Sequence, residues 1–406
     1  MNQSKENPNR TTTAYRSGTG VAIAAIAGTP RAEKVRKNLL QAKRVIVVTK
    51  FKFMGDTIVA TPMLRQLKAS CPQAHLTLLT SHSAAAALQD YPHLDAVQGF
   101  DQGHGLRIHH TLDLVNQLRE GSYDVAFLLN RSVQCALAAQ WAGIPTRIGY
   151  KAECRTPFLT LAVPYSFDRN ESTCLLDMVR AVGLPTDETL PELVFSEHTR
   201  KRAYELLASF GWSGEEGGRP LVGMQPGAND PYIREWGAKR YASVADKLIE
   251  EWGATVVLMG GREEEATALE MERQMRHPVL NLIGKSPLRE SLAMIGHCNL
   301  WIGNDSGLLH TAVAQGVPSV GIYGPNKVVR WGYHTARHRS IVAFPERPAE
   351  TDDAIRSCLD QIPIAEVLRA IEEVMQSPAT SLQEDSLCPY FTATQDEAQR
   401  MATRRR

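Results

Sequence analysis

The sequence predicts an α/β protein of two Rossmann-like domains whose parallel sheets face a central cleft. Runs of β-branched and apolar residues alternate with amphipathic stretches, which is the pattern of parallel strands joined by helices. The alternation pauses in a polar, proline-bearing stretch at Gly183–Pro191 and then restarts. The 406 residues also exceed the ~250–300 that a single core usually holds, which favours two domains.

The composition argues against several classes of protein. A net charge of +1 provides no strong field for nucleic acid, so no nucleic-acid partner is expected. Seven scattered cysteines without a C-x-x-C pair indicate reduced thiols and a cytoplasmic location. The apolar runs are shorter than the ~20 residues that cross a bilayer. Without a D-x-D pair or a His/Cys cluster, neither a metal nor another cofactor is expected.

The segment before the first strand has two interpretations. The apolar run Val21–Gly28 follows basic residues and faintly resembles a signal peptide, but it is short, so a poorly ordered extension is preferred. A basic helix over 31–44 follows, with a solvated charged face as its ordinary role and peripheral contact with anionic lipid as the alternative. The predicted divisions are an extension (1–43), a first domain (44–190), a second domain (191–362), a closing helix (363–376) and a polar tail (377–406).

The first domain opens with a β-branched strand at Arg44–Lys50 and a loop through Asp56. A helix over Thr57–Ser70 follows, with Pro62 near enough to its start to be tolerated. The next strand is His75–Thr80. The pattern then predicts strands at Ala96–Phe100, Asp124–Leu129 and Arg147–Gly149, and helices at Leu112–Arg119, Ser132–Ala142 and Ser172–Val182.

The second domain repeats this alternation after the helix His198–Phe210. Its strands are predicted at Leu221–Gln225, Ala254–Met259, Val279–Ile283, Leu300–Ile302 and Ser319–Tyr323. Its helices are predicted after Trp236 and through Trp252, after Gly260–Glu265, from Leu288 to His297, and at Leu308–Ala314 and Ile364–Met375.

Four polar, glycine-bearing loops end four strands of the second domain and should meet at one edge of its sheet. They are Gln225–Asp230, Gly260–Glu264, Gly284–Ser286 and Asn304–Gly307. Such an edge suits a nucleotide, because glycines allow close approach and helix starts offer N–H groups to phosphate. Asp305 and Ser306 have helix capping as their alternative role. His310 falls one turn into the following helix, on the side of the loop.

Two charged residues suit chemistry at this edge. The guanidinium of Arg234 would neutralise a diphosphate, and its alternative is a surface ion pair. Asp56 follows the first strand of the first domain and, if the domains clamp a ligand, suits a general base towards a hydroxyl. Its alternative is again a helix N-cap.

These motifs together resemble the heptosyltransferases of glycosyltransferase family 9, which have the two-domain GT-B fold. The resemblance runs in order from Arg44 to Met375. It is carried by Lys50–Asp56, Gln225–Ala228, Arg234–Trp236, Gly260–Gly261, Gly284–Ser286, Asn304–His310 and Tyr323–Pro325.

The resemblance implies transfer of heptose from ADP-heptose to a saccharide hydroxyl, with inversion and without a metal. Asp56 matches the catalytic base, and Arg234 stands where many relatives carry lysine. The donor positions are Gly55, Gln225, Gly227, Arg234, Gly261, Glu263, Ser286, Asp305, Ser306, Gly307, Leu308 and His310. Lys50, Lys52 and Arg131 match basic residues that meet an anionic acceptor.

The residues leave several alternatives open. The resemblance implies lipopolysaccharide core, or another saccharide or natural product, as the acceptor. A nucleotide-sugar epimerase on the same architecture and a non-catalytic nucleotide-sugar-binding protein are the competing functions. The sequence does not fix the oligomeric state.

Overall fold

The computed structural model describes residues 18–100, 108–152, 154–167, 169–212, 214, 219–325, 327–343 and 351–377. In these residues the strands form two six-stranded sheets. The first sheet contains β1 (Arg44–Val48), β2 (His75–Thr80), β3 (Ala96–Gly99), β4 (Val125–Leu128), β5 (Thr146–Tyr150) and β6 (Leu161–Val163). The second contains β7 (Leu221–Gln225), β8 (Thr255–Leu258), β9 (Leu280–Asn281), β10 (Leu300–Asn304), β11 (Ser319–Ile322) and β12 (His338–Ile341).

Helices connect these strands. Those associated with the first sheet are α1 (Gly18–Ala27), α2 (Pro30–Gln41), α3 (Met54–Ile58), α4 (Thr61–Ser70), α5 (His82–Ala87), α6 (Ile108–Glu120), α7 (Val133–Trp141) and α8 (Glu171–Ala181). The others are α9 (Glu197–Ser209), α10 (Pro231–Arg234), α11 (Ala238–Trp252), α12 (Glu265–Gln274), α13 (Leu288–Ile295), α14 (Gly307–Ala314), α15 (Val328–Trp331), α16 (Asp352–Gln361) and α17 (Ile364–Gln376).

The two sheets share one strand order. It runs β3-β2-β1-β4-β5-β6 in the first sheet and β12-β11-β10-β7-β8-β9 in the second, and neighbouring strands pair in parallel. The direction of winding changes between β1 and β4 and between β7 and β10. Ligands of open α/β sheets bind beyond the carboxyl ends of the strands at this switch point. The loops after these four strands are therefore the first place to seek a site.

Both faces of the sheets are buried. Along β1, Val45 and Val47 join one apolar cluster, and Ile46 and Val48 join the cluster on the opposite face. This double burial explains why β1 is an unbroken apolar run instead of an alternating one.

The chain forms two helices, α3 and α4, where the sequence predicted one. The single helix expected over Thr57–Ser70 is split into α3 and α4, because Pro62 has no N–H to donate to the carbonyl of Ile58. The hydroxyl of Thr61 donates to that carbonyl instead, at 2.8 Å. The break lets α3 begin at Met54, three residues earlier than expected, so that Asp56 lies in its first turn.

Short elements account for most other differences from the prediction. The sequence analysis missed β6, β12, α5, α10, α15 and α16. The apolar run near residue 21, expected to be loose, belongs to α1, whose Ile23 is buried. The extension before residue 18 and the tail after residue 377 lie outside the described residues. Among the helices that are described, none has the length and apolar character needed to cross a membrane.

Asn304 fixes the two central loops of the second sheet to each other. Its side chain is fully buried at the end of β10. The amide nitrogen donates to the carbonyls of Pro226 and Gly227, at 2.9 and 3.1 Å. Its oxygen accepts from the Trp236 N–H and the Tyr241 hydroxyl, at 3.2 and 3.0 Å. The loop after β7 is thereby held beside the loop after β10.

We expect Asn304→Ala to lower the free energy of unfolding by about 3 kcal/mol, because it leaves several buried polar groups without partners. Urea denaturation measures the change. Asn38→Ala is the control, since Asn38 is exposed and makes one side-chain hydrogen bond, to Thr146. Equal losses in the two variants would contradict this role for Asn304.

Candidate active site

A cleft of about 930 Å³ lies between the two domains, at the carboxyl ends of the central strands. Most residues singled out in the sequence line it. They are Lys50, Lys52, Gly55, Asp56, Arg131, Gln225, Arg234, Gly261, Glu263, Ser286, Asp305, Ser306, Gly307, Leu308 and His310. Gly227 stands behind the lining, where a Cβ would come within 2.7 Å of the Glu264 side chain.

Asp56 presents its carboxylate to the cleft. The side chain is 13% exposed, and its Oδ2 lies 3.0 Å from Nζ of Lys50. The N-cap of α3 is Phe53, and no side chain caps that helix. Asp56 therefore does not have the alternative role of a helix N-cap.

Cations and aromatic rings line the wall beside Asp56. Lys50 lies over the ring of Trp331, with Nζ 5.4 Å from the centroid. Arg131 lies over Phe167 and Tyr165, with the guanidinium carbon 4.6 and 5.0 Å from the centroids. Such stacking holds a cation in place without neutralising it. Lys52 is exposed at the edge of this wall.

Glu171 was missed by sequence reasoning, which placed it just before the start of a helix. It is the first residue of α8, is 3% exposed, and lines the inner end of the cleft. Burial raises the pKa of this carboxyl to about 7, although Lys50 lowers it. Arg330 and Trp331 were missed as well, because they lie on α15, a helix of four residues with no visible pattern.

The domains touch at two glycines. A Cβ on Gly55 would lie 3.2 Å from the Cα of Gly307 and 2.7 Å from the ring of His310. Only glycine at position 55 allows α3 and α14 to approach this closely. His310 donates to or accepts from the Tyr333 hydroxyl at 2.8 Å, and burial lowers its pKa to about 4. The imidazole is therefore neutral near pH 7.

A buried hydrogen-bond chain joins three loops of the second domain. The Ser306 hydroxyl donates to Oε1 of Gln225, whose amide nitrogen donates to Oε1 of Glu264 at 2.8 Å. Ser306 also caps α14, since its oxygen accepts from the Leu309 N–H at 3.3 Å. The other oxygen of Glu264 has no partner, and burial raises the pKa of this carboxyl to about 7. Of the neighbouring acids, Glu263 is the exposed one and Glu264 the buried one.

Arg234 and Asp305 lie close to each other on the second-domain wall of the cleft. Nη1 of Arg234 is 4.0 Å from Oδ2 of Asp305, which is too far for a tight pair. The Nε of Arg234 is buried without a partner. Burial raises the pKa of Asp305 to about 6, and the nearby cations Arg234 and Lys327 oppose that rise. The guanidinium is thus positioned towards the cleft with donors to spare, and not in a surface ion pair.

No set of three or more His, Cys, Asp or Glu side chains in the described part of the chain is placed to hold a metal ion. The cationic groups available at the cleft are those of lysine and arginine side chains.

The sequence profile of glycosyltransferase family 9 (heptosyltransferase) matches residues 111–358. The chain belongs to this family. Lipopolysaccharide heptosyltransferase 2 of Salmonella typhimurium is 30% identical over 350 residues, which cover 75% of this chain and 96% of that protein. Lipopolysaccharide heptosyltransferase 3 of Escherichia coli is 25% identical, over 81% of this chain and 98% of its own.

Solved structures agree on the fold of this family 9 member. A family 9 glycosyltransferase from Veillonella parvula has a TM-score of 0.75 at 24% identity, and the match covers 83% of this chain and 98% of that one. The ADP-heptose lps heptosyltransferase II of Escherichia coli has a TM-score of 0.67 at 25% identity, over 82% and 98%. The prediction of the family and of the two-domain GT-B fold is confirmed.

The enzyme class follows from the family. This family 9 chain is a glycosyltransferase, as the sequence motifs predicted. Neither the epimerase nor the non-catalytic binding protein is favoured, because the curated relatives that match over most of the chain are transferases.

Proposed function

We propose that this glycosyltransferase moves a heptose from ADP-heptose to a hydroxyl of the lipopolysaccharide core and inverts the anomeric centre. The names of the curated relatives support this donor sugar and this acceptor. The name of the Escherichia coli structure supports ADP as the nucleotide. The assignment of roles to single residues rests on the geometry of the cleft.

One observation carries the proposal. Asp56 of the first domain lines the same cleft as Arg234 and Asp305 of the second. An acid on one wall can take a proton from an acceptor hydroxyl, while the opposite wall holds an activated sugar. Two domains that meet at a cleft can bring both substrates together and keep water out.

The reaction follows from these positions. Asp56 accepts the proton of the acceptor hydroxyl as that oxygen forms a bond to the anomeric carbon. The bond from this carbon to the diphosphate breaks on the opposite face, so the configuration inverts and ADP leaves. Negative charge grows on the diphosphate, where the guanidinium of Arg234 and the N–H groups at the start of α14 stabilise it.

The remaining lining residues would hold the substrates. The free oxygen of Glu264 can accept a hydrogen bond from a ribose hydroxyl. Gly261 and Ser286 line the same cleft. On the other wall, Lys50, Lys52 and Arg131 suit an anionic acceptor. If the acceptor is anchored by lipid, transfer takes place at the cytoplasmic surface of the membrane. The exposed Lys34 and Lys37 of α2 would then contact anionic lipid head groups there.

Mass spectrometry of the products tests this function. The enzyme is offered ADP-heptose, ADP-hexoses and UDP-hexoses, each with truncated lipopolysaccharide core or with simple saccharides as the acceptor. We expect a mass gain of one heptose on the core saccharide, and ADP release that depends on that acceptor. Conversion of the nucleotide sugar without an acceptor would support an epimerase and contradict the proposal. Transfer to a simple saccharide alone would correct the acceptor but keep the reaction.

A further inference from the structure

The inner end of the cleft contains a chain of charges that crosses between the domains. It starts at Asp56, whose Oδ2 lies 3.0 Å from Nζ of Lys50. The same Nζ is 3.8 Å from Oε1 of Glu171. The other carboxylate oxygen of Glu171 forms an ion pair with Arg330. Asp56, Lys50 and Glu171 belong to the first domain, and Arg330 lies on α15 of the second.

Glu171 is the branch point of this chain. It is 3% exposed, so the cost of its charge must be offset by neighbours and not by water. The Tyr165 hydroxyl donates to Oε2 at 2.9 Å, and Arg330 pairs with the same oxygen. Of the partners named here, Lys50 is the one that also lies within ion-pair distance of Asp56.

Arg330 brings a cation from the second domain into direct contact with Glu171. Asp56 and Glu171 carry two negative charges, and Lys50 and Arg330 carry two positive ones. Without Arg330, Lys50 would be shared by two carboxylates in a partly buried place. With Arg330 on Glu171, Lys50 is free to pair closely with Asp56, which matches the distances of 3.0 and 3.8 Å.

We propose that Glu171 is a positioning residue for the transfer reaction, linking the general base Asp56, through Lys50, to Arg330 of the opposite domain. The base is then correctly paired only while the two domains are in contact. This inference rests on the proposed function, in which Asp56 accepts the proton of the acceptor. Glu171 acts here through Lys50 and is not the group that takes the proton.

Further contacts support a coupling between this chain and domain contact. The side-chain amide of Asn170, next to Glu171, donates to the Gly332 carbonyl across the domain boundary at 3.2 Å. Lys50 lies over the ring of Trp331, which neighbours Arg330 on α15. The segment around α15 therefore contacts Lys50 and the residue next to Glu171, in addition to Glu171 itself.

The ionisation of Glu171 provides a readout that a purely structural role would not give. Burial raises the pKa of this carboxyl to about 7. Below that pH the neutral carboxyl no longer balances Arg330 and no longer attracts Lys50, so turnover should fall as pH falls through 7. The charged or titratable groups that face Glu171 are Lys50, Asp56, Arg131, Tyr150, Tyr165, Cys174 and Arg330.

Glu171→Gln tests the proposal, because glutamine keeps the size of the side chain and still accepts from Tyr165. We expect kcat to fall about 10- to 50-fold at pH 8, the range for coupled charged neighbours, with the KM for the donor changed less than threefold. The ratio of wild-type to variant kcat should approach one at pH 6, where wild-type Glu171 is itself protonated. A ratio that stays constant from pH 6 to pH 8, or an unchanged kcat, would overturn the proposal.

Asp177→Asn is the matched control. Asp177 is also buried on α8 and pairs with Arg169 and Arg180, but it does not line the cleft. This variant should lose stability without a new pH dependence of kcat. A pH-dependent loss equal to that of Glu171→Gln would assign the effect to α8 as a whole and overturn the role of Glu171.

A double-mutant cycle with Arg330→Gln tests the link across the domains. If Glu171 acts through Arg330, the double variant should be little slower than either single variant. Arg330→Gln alone also keeps the test decisive if Glu171→Gln does not fold. Additive losses would overturn the link.

A comparison with Asp56→Ala separates this inference from the proposed function. If transfer is lost in Asp56→Ala but normal in Glu171→Gln, this inference alone is rejected. If transfer is normal in both variants, the proposed role of Asp56 as the base is rejected.

Discussion

Asp56→Ala is expected to lower kcat for transfer by about 10²–10⁴-fold, the range for loss of a general base, while donor binding stays near normal. The carboxylate lines the wall opposite Arg234 and Asp305, so its removal spares the donor side of the cleft. Asp56→Asn should lose nearly as much, because an amide keeps the shape but cannot accept the proton. Steady-state assays of ADP release, with titration calorimetry of ADP binding, measure the two effects.

Asp95→Asn is the control for this variant. Asp95 also pairs with a lysine of the first domain, Lys68, at 2.6 Å, but it does not line the cleft. We expect its kcat to stay within twofold of wild type. Near-normal turnover in Asp56→Ala would remove this carboxylate from the mechanism, and equal losses in Asp56→Asn and Asp95→Asn would point to a general effect of removing a lysine–aspartate pair.

The position of the cleft was predictable because it follows from the topology. Asp56 follows β1 and Asp305 follows β10, and both strands flank the point where the winding reverses. In a parallel sheet the carboxyl ends of the strands share one edge, so local patterns suffice to bring these loops together. The cap of α14 by Ser306 was likewise visible in the sequence as a Ser-Gly pair at a helix start.

The inner end of the cleft, at Glu171 and Arg330, was not predictable, because tertiary packing alone creates it. Glu171 opens a helix that the sequence did predict, and an acidic residue in a first turn ordinarily only complements the helix dipole. It becomes part of the site because α8 is buried against the first sheet and α15 meets it from the second domain. A four-residue helix such as α15 has no periodicity by which Arg330 could be found.

Glu263 and Glu264 also differ in a way that tertiary packing decides and the local sequence does not. Both follow a glycine pair, and the family resemblance pointed to their neighbourhood. Only the fold decides that Glu264 turns inward to Gln225 while Glu263 remains exposed. The residues of a loop can thus be predicted as a group before the member that turns inward is known.

Arg234→Ala is expected to lower kcat/KM by about 10²–10³-fold, because the transition state loses a donor at the point where charge develops. The guanidinium has a buried Nε without a partner and is 4.0 Å from Asp305, so it can bind a diphosphate without first breaking a strong pair. Its removal leaves the pKa of Asp305 higher than the present value of about 6, since Arg234 is the first of the cations that lower it. The loss should therefore be larger at pH 8, where Asp305 is ionised and repels the diphosphate without compensation, than at pH 6, where it is neutral.

Arg234→Lys separates charge from geometry. Lysine keeps the positive charge but not the planar pair of donors, so we expect most of the ADP affinity to remain and kcat to fall about tenfold. Arg273→Ala is the control, because Arg273 is 70% exposed and pairs with Glu270 outside the cleft. ADP affinity that is the same in Arg234→Ala and wild type would place this arginine outside the diphosphate site. A KM effect without any change in kcat would instead restrict it to ground-state binding, because a group that stabilises only the departing charge must change the rate of the chemical step.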